Sequence, residues 1–140
     1  MIAIIAEKPS VGQEIARVVG ATEKKDGYIT GNGYMVTWAL GHLVSLALPG
    51  TYGYTRTTAE DLPMLPEPFR LVERQIRTDR GMVTDIAAGR QLKVIDGVFS
   101  ECDSIIVATD AGREGELIFR WIYSHLGCTK PFKRLWFSSL

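Results

Sequence analysis

The sequence predicts an α/β domain with a mostly parallel sheet flanked by helices. Two apolar runs, residues 2–6 and residues 104–109, have the length and composition of strands that are buried on both faces. Each run is followed by apolar residues at helical spacing, and strands that alternate with helices are typical of a parallel sheet. Since 140 residues are enough for one hydrophobic core, we expect a single domain over residues 1–140.

The first strand is expected to lead directly into a helix. Pro9 and Ser10 stand where this helix begins, and Ser10 has the side chain of a helix N-cap. Apolar residues recur from Val11 to Val19 at helical spacing, and Gly20 ends the segment. Strand, short turn and helix are therefore predicted for the first twenty residues.

A β-hairpin and a proline-rich loop are predicted as an insertion between this unit and the next one. The β-rich runs at residues 28–30 and 34–38 flank Gly-Asn-Gly, which is a strong turn signal. Residues 49–69 contain four prolines and many small polar residues, and such a long irregular loop is typical of a functional lid or a docking surface. Residues 69–72 have the composition of a short strand.

The second half of the chain repeats the strand-helix pattern. Residues 78–101 carry apolar positions that fit one or two amphipathic helices, broken near Gly89. The strand at residues 104–109 precedes a helix from about residue 114 to residue 126, and residues 133–138 are predicted as a last strand. Because the chain stops directly after that strand, we expect it to be a fragment. The arginines at spacings of three or four favour a solvated helix face over a phosphate-contacting one; they are Arg70, Arg74, Arg77 and Arg80.

Composition excludes several classes of protein. Sixteen basic and sixteen acidic residues leave no net charge, so any contact with nucleic acid must be local or shared with other parts of a larger protein. Cys102 and Cys128 lack metal-ligand spacing, which favours a reducing cytoplasm over a secreted disulfide scaffold. The apolar start stops at Glu7 and is too short for a signal peptide or a membrane span. We expect a soluble cytoplasmic protein without a membrane partner.

Acidic residues follow both buried strands. Glu7 comes directly after the first strand and Asp110 directly after the second, and ligands of open α/β sheets bind at the carboxyl ends of the strands. If the two strands are neighbours, Glu7 and the acidic residues at 110–116 share one crevice. Mg²⁺ would relieve their repulsion. Lys8 and Arg113 add cations for a phosphodiester, so phosphoryl transfer on a nucleic acid is the predicted chemistry.

Three segments resemble the toprim domain of type IA DNA topoisomerases, of the topoisomerase III kind. They are Ile-Ile-Ala-Glu-Lys-Pro-Ser at residues 4–10, Trp-Ala-Leu-Gly-His-Leu at residues 38–43 and Ala-Thr-Asp-Ala-Gly-Arg-Glu-Gly-Glu at residues 108–116. Their order is that of the family, and they cover nearly the whole chain. The family pattern has a second aspartate where this sequence has Gly112. The resemblance therefore implies fewer metal ligands, with Glu116 as a partial substitute.

The resemblance implies a toprim (Rossmann-like) fold in an ATP-independent enzyme that breaks, passes and rejoins single DNA strands through a phosphotyrosyl intermediate. Glu7 would handle protons at the scissile phosphate, and Lys8 would stabilise the phosphoryl charge. Asp110 and Glu114 would hold Mg²⁺ with Glu7, and Arg113 would support the DNA phosphate or the acidic cluster. The reactive tyrosine lies in a later domain, so the isolated chain is not expected to cut DNA. Implied partners are single-stranded DNA, the remaining domains of the parent enzyme and a helicase.

Each of these residues also has a structural interpretation. Asp110 would serve as the N-cap of the following helix, with Glu114 and Glu116 as favourable charges in its first turn. His42 is either a packed histidine that donates to a carbonyl or, with Lys8 and Arg113, a group that contacts DNA. The motifs in combination favour the metal site over the structural interpretation.

Toprim domains also occur outside topoisomerases. A primase-like or nuclease-like enzyme, and a RecR-like module of DNA repair without enzymatic activity, are the alternatives. The zinc-binding cysteines expected of the RecR-like module are absent from the sequence. The segments around Glu7 and His42 favour the topoisomerase.

Overall fold

The computed structural model describes residues 1–46, 71–79 and 81–135. The expectations for residues 49–69 and for Arg70 and Arg80 lie outside these residues. The described elements, in chain order, are β1 (Ile2–Ala6), α1 (Pro9–Val19), β2 (Glu23–Lys25), β3 (Tyr28–Gly31), β4 (Tyr34–Trp38), β5 (Val44–Leu46), β6 (Leu71–Glu73), β7 (Gln75–Thr78), β8 (Gly81–Thr84), α2 (Ile86–Glu101), β9 (Ser104–Ala108), α3 (Arg113–His125) and β10 (Phe132–Arg134).

A six-stranded sheet forms the frame of the fold, in the order β10-β9-β1-β4-β3-β2. The first four of these strands are parallel, and β3 and β2 add an antiparallel edge. The predicted mostly parallel sheet is therefore confirmed. Strands β1 and β9 are direct neighbours, with Ala6 opposite Ala108, so the acidic residues that follow them emerge side by side.

Helices cover both faces of this sheet. Because successive strand residues point to opposite faces, Ile4 packs with Ala16 of α1 on one face, whereas Ile5 packs with α2 and α3 on the other. The second face holds the larger core, in which Phe99 and Phe119 are fully buried. Burying one such side chain contributes roughly 1.5–3 kcal/mol, so the α2 and α3 layer is the main hydrophobic support of β1 and β9.

The predicted hairpin is confirmed, but it belongs to the main sheet. Asn32 and Gly33 connect β3 to β4 with φ angles of 52° and 84°, as a tight turn with two left-handed residues requires. Strand β4 then pairs in parallel with β1, and Trp38 lies opposite Ala6. The hairpin is therefore an extension of the sheet rather than an insertion beside it, and the segment after β4 reaches the edge where Glu7 lies.

The prediction of one or two helices over residues 78–101 is wrong at its start. Residues 75–78 and 81–84 form the antiparallel strands β7 and β8, in which Ile76 lies opposite Val83. The helix begins only at Ile86, after Asp85 accepts the Ala87 N–H as N-cap, and it runs through Gly89 without a break. With only a few apolar residues, a strand period and a helix period could not be separated in this stretch.

Two smaller predictions are also wrong. Helix α1 begins at Pro9 with Lys8 as its N-cap, not Ser10, because the fixed φ of proline suits the first helical position. Arg74 is not on a helix but between β6 and β7, where it pairs with Asp85 at 2.9 Å.

The last strand ends at Arg134, and residues 136–140 lie outside the described residues. Among the described helices, none has both the length and the apolar character needed to cross a membrane.

Candidate metal and nucleic-acid site

Glu7 and Asp110 meet at the carboxyl edge of the sheet. The backbone N–H of Asp110 donates a hydrogen bond to Oε1 of Glu7 at 3.2 Å. Partial burial raises the pKa of the Glu7 carboxyl, and the negative charge of Asp110 raises it further, against the lowering effect of that backbone hydrogen bond. The predicted convergence of the two strand ends is thus present, with two mutually repelling carboxyl groups beside each other.

The backbone around Asp110 is held from two sides. A Cβ atom added to Gly115 would lie 1.9 Å from the Asp110 carbonyl oxygen, so the first turn of α3 approaches this segment as closely as glycine permits. The Thr109 hydroxyl donates to the Gly115 carbonyl at 2.9 Å, and the Arg134 guanidinium donates to the Thr109 carbonyl at 2.6 Å. Sequence reasoning missed Arg134, whose role depends on the pairing of β10 with β9.

Gly112, not Asp110, is the N-cap of α3, so the interpretation of Asp110 as a helix cap is wrong. Gly112 has φ 128° and ψ 177°, a backbone region that is essentially restricted to glycine. No atom of the described residues lies within 4 Å of a Cβ added there. The conformation, rather than a lack of space, therefore disfavours the aspartate that the family pattern has at this position.

His42 and Glu114 form a pair across the same edge. His42 follows β4, the other neighbour of β1, and its Nε2 lies 2.5 Å from Oε1 of Glu114 in the first turn of α3. The imidazole ring packs 5.7 Å from the ring of Trp121. The histidine thus contacts a carboxylate rather than a carbonyl group, and residues after β9, β1 and β4 all contribute to this edge.

Glu116 has different surroundings from the other three carboxylates. It accepts hydrogen bonds from Arg120 at 2.7 Å and from Arg134 at 2.5 Å. The bond from Arg120 lowers the pKa of Glu116, and the bond from Arg134 lowers it further, while partial burial opposes both. In the described part of the chain, no hydrogen bond or ion pair joins Glu116 to Glu7 or Asp110.

The two candidate cations lie at helix starts beside the carboxylates. Lys8 is exposed at the N-cap of α1, and its charge lowers the pKa of Glu7 slightly against the raising effects. Arg113 is the exposed first residue of α3 and lines an open cleft of about 490 Å³ together with Arg120 and Arg134. Both cations are accessible to an anion that approaches this edge of the sheet.

The structure does not gather the four expected acidic ligands into one group. In residues 1–46, 71–79 and 81–135, no three His, Cys, Asp or Glu side chains stand together as a metal-binding set. Glu7 and Asp110 nevertheless offer adjacent hard oxygen donors whose repulsion a divalent cation would relieve. Such a pair fits an ion that keeps most of its waters, as Mg²⁺ does in sites completed by phosphate.

Comparison with known proteins agrees with the motifs and the fold. A family model described as the Toprim domain matches residues 2–140. The DNA topoisomerase 3 proteins of Bacillus licheniformis and Bacillus subtilis are each 45% identical over 141 residues, and that of Shouchella clausii is 46% identical over 142 residues. These alignments cover 98–99% of this chain but only 18% of each relative. The chain thus spans about a fifth of the length of the curated relatives it matches.

Proposed function

Because the chain belongs to the Toprim family, we propose that it is the metal-binding domain of a type IA DNA topoisomerase of the topoisomerase 3 kind. The observation that carries this proposal is the contact between Asp110 and Glu7 across neighbouring parallel strands. The similarity to proteins named DNA topoisomerase 3 over nearly the whole chain supports this enzyme over a primase, a nuclease or a repair module.

Toprim domains bind divalent metal ions, and we propose Mg²⁺ as the ion. Asp110 and Glu7 would hold it as adjacent oxygen donors, and Glu114 would complete the acidic set from the first turn of α3. To join this set, Glu116 would have to break its ion pairs with Arg120 and Arg134. We therefore do not place it among the residues that coordinate the ion directly. The bound ion would neutralise charge on a nucleic-acid phosphate.

Glu7 is proposed as the group that handles protons at the scissile phosphate. Its pKa is raised by burial and by Asp110, and a carboxyl whose pKa is shifted toward neutrality is better suited to proton transfer at cellular pH than an ordinary one. Lys8 and Arg113 would bind the phosphate of the DNA strand as exposed cations at the same edge. The nucleophilic tyrosine would come from another part of the parent enzyme.

The substrate of the parent enzyme would be a single-stranded segment of DNA in the cytoplasm, with its remaining domains and a helicase as protein partners. The chain has sixteen basic and sixteen acidic residues, which supports different roles in DNA binding for this domain and for the rest of the enzyme. A domain without net charge contributes local contacts, and the general attraction for DNA would come from the rest of the enzyme.

A Mn²⁺ titration followed by amide NMR tests the metal site. We expect paramagnetic broadening centred on Glu7 and residues 110–116 in the 140-residue chain. The broadening should be lost in Asp110→Asn and kept in Asp96→Asn, which changes an exposed carboxylate on α2. Broadening that survives Asp110→Asn, or no localised broadening at millimolar Mn²⁺, would contradict the proposal.

A further inference from the structure

We propose that His42 is a positioning residue that holds Glu114 in place for the divalent cation. The inference rests on the proposed function and adds to it a residue from a third strand end. Strand β4 lies directly beside β1, so the segment that follows β4 reaches the edge where the carboxylates lie. His42 is the side chain of this segment that contacts one of them.

The segment that carries His42 is anchored at both ends. The N–H of Ala39 donates to the carbonyl of Ala6 at 2.9 Å, which continues the pairing of β4 with β1. On the other side, Leu43 is fully buried, and its carbonyl accepts the N–H of Arg74 at 2.7 Å. The backbone that bears His42 is therefore fixed relative to the sheet, as a residue that orients another side chain requires.

The imidazole of His42 contacts one face of α3 at two points. Its Nε2 lies 2.5 Å from Oε1 of Glu114, and its ring packs against Trp121, seven residues further along the helix. Residues separated by seven positions lie on the same side of an α-helix. Without His42, the Glu114 side chain, which is 76% exposed, would lose the described hydrogen bond that restricts its rotamers.

The other ring nitrogen indicates where the proton lies. Nδ1 of His42 is buried and finds no hydrogen-bond partner among the described residues. A proton on Nδ1 would be an unpaired buried donor, which is unfavourable. Nε2 is therefore the ring nitrogen that donates a proton to the hydrogen bond with Glu114. A histidine donor that orients a ligating carboxylate is a typical supporting interaction of protein metal sites.

The test compares Mn²⁺ affinity among variants of the 140-residue chain. Removing the hydrogen bond in His42→Ala should raise the Mn²⁺ dissociation constant by roughly tenfold or more, as is usual for the loss of such a supporting group. His42→Gln keeps an N–H donor at similar reach and should restore a large part of the affinity. His125→Ala, which changes the other histidine at the far end of α3, should bind Mn²⁺ like the wild type.

A long-range ¹H–¹⁵N spectrum of the metal-free chain provides an independent readout. We expect Nε2 of His42 to carry a proton. An Nε2 without a proton would overturn the proposal, and so would His42→Ala binding Mn²⁺ as tightly as His125→Ala, or more tightly than the wild type. The last result would mean that His42 competes with the ion for Glu114 instead of presenting it.

Two carboxylate variants separate this inference from the proposed function. If Asp110→Asn and Glu114→Gln both leave Mn²⁺ binding unchanged, the metal site itself is refuted, and the role of His42 with it. If Asp110→Asn weakens binding but Glu114→Gln does not, the site stands and the positioning role is refuted. If both weaken binding while His42→Ala does not, the inference about His42 alone fails.

Discussion

Gly115 is the position where a single added methyl group should displace the candidate site. In the native backbone, the Cβ of Gly115→Ala would lie 1.9 Å from the carbonyl oxygen of Asp110, whereas real Cβ contacts begin at about 3.0 Å. The two backbone segments must therefore separate by about 1.1 Å, from 1.9 Å to 3.0 Å. No flexible side chain can relieve this contact, because both clashing groups belong to fixed parts of the chain.

The displacement reaches the carboxylate pair directly. The Asp110 N–H lies 3.2 Å from Oε1 of Glu7, at the upper end of the range for such hydrogen bonds, so a shift of this size breaks it. Overpacking and the lost hydrogen bond together should lower the free energy of unfolding by about 2–4 kcal/mol. The Mn²⁺ dissociation constant should rise at least about tenfold, since an oxygen donor is moved away from its partner.

Urea unfolding and a Mn²⁺ titration of the same samples measure both effects. Gly97→Ala is the matched control, because Gly97 is an exposed residue of α2 and, in the part of the chain that the structure describes, no atom lies within 4 Å of a Cβ added to it. That substitution should stabilise the protein by about 0.5–1 kcal/mol. If Gly115→Ala unfolds within about 0.5 kcal/mol of the wild type and binds Mn²⁺ equally well, the close approach of α3 to Asp110 is not what fixes the site.

Three further substitutions test other contacts. Burial raises the pKa of Glu7 above 4.5, so ionisation of this carboxyl opposes folding. Glu7→Gln should therefore be more stable than the wild type in urea at pH 7. The difference in stability should vanish as the pH falls below 4.5, where the carboxyl is protonated in both the folded and the unfolded state. Arg134→Gln removes a guanidinium that is 11% exposed and should lower the free energy of unfolding by about 2–3 kcal/mol. Gly112→Asp forces a side chain into a glycine-only conformation and should cost about 1–3 kcal/mol in the same assay.

Each of these has a control elsewhere in the chain. The hydrogen bond from Arg17 lowers the pKa of Glu14, so Glu14→Gln should change stability at pH 7 in the opposite direction to Glu7→Gln. Arg120 is 55% exposed, and Arg120→Gln should cost no more than about 1 kcal/mol. Gly33 has φ 84°, and no described atom lies within 4 Å of a Cβ added to it, so Gly33→Asp should cost less stability than Gly112→Asp. Equal effects within any pair would contradict the corresponding structural reason.

The acidic strand ends at Glu7 and Asp110 could be predicted because each depends on local signals, whereas their meeting was predicted only on the condition that the two strands are neighbours. Each residue ends a continuous apolar run of strand length, and the carboxyl ends of neighbouring parallel strands lie at one edge of a sheet. The turn at Asn32 was equally local, since only a few residue types accept two successive left-handed positions. The apolar runs and the turn are each specified by about ten consecutive residues, and such local patterns are the ones that a single sequence predicts best.

The contacts of Glu114 and Glu116 depend on distant parts of the chain. His42 is 72 residues from Glu114, and Arg134 reaches Glu116 only through the register of β10 against β9. No local pattern specifies these registers. One signal was nevertheless present: residues two positions apart on an α-helix are about 200° apart around its axis, so Glu114 and Glu116 could not both face the same ion.

The β7–β8 hairpin was not predictable for a different reason. Ile76 and Val83 lie opposite each other, and their exposed fractions are 46% and 39%, so no alternation of buried and exposed positions marks the strands. The arginines around Arg74 recur every three or four residues, which is also the spacing of residues on one face of a helix. Short strands that bury little apolar surface leave only a weak trace in the sequence.

The central place of β1 in the sheet also determines how well the backbone next to Glu7 is protected from local unfolding. Hydrogen bonds to β9 and β4 hold β1 on both sides, whereas β2 at the sheet edge consists of three exposed residues. Amide exchange through local opening should therefore be fast in β2 and slow in β1, where it requires unfolding of most of the domain. Glu7 follows a strand that is paired on both sides, so we expect fraying of the sheet edge at β2 to leave its backbone position unchanged.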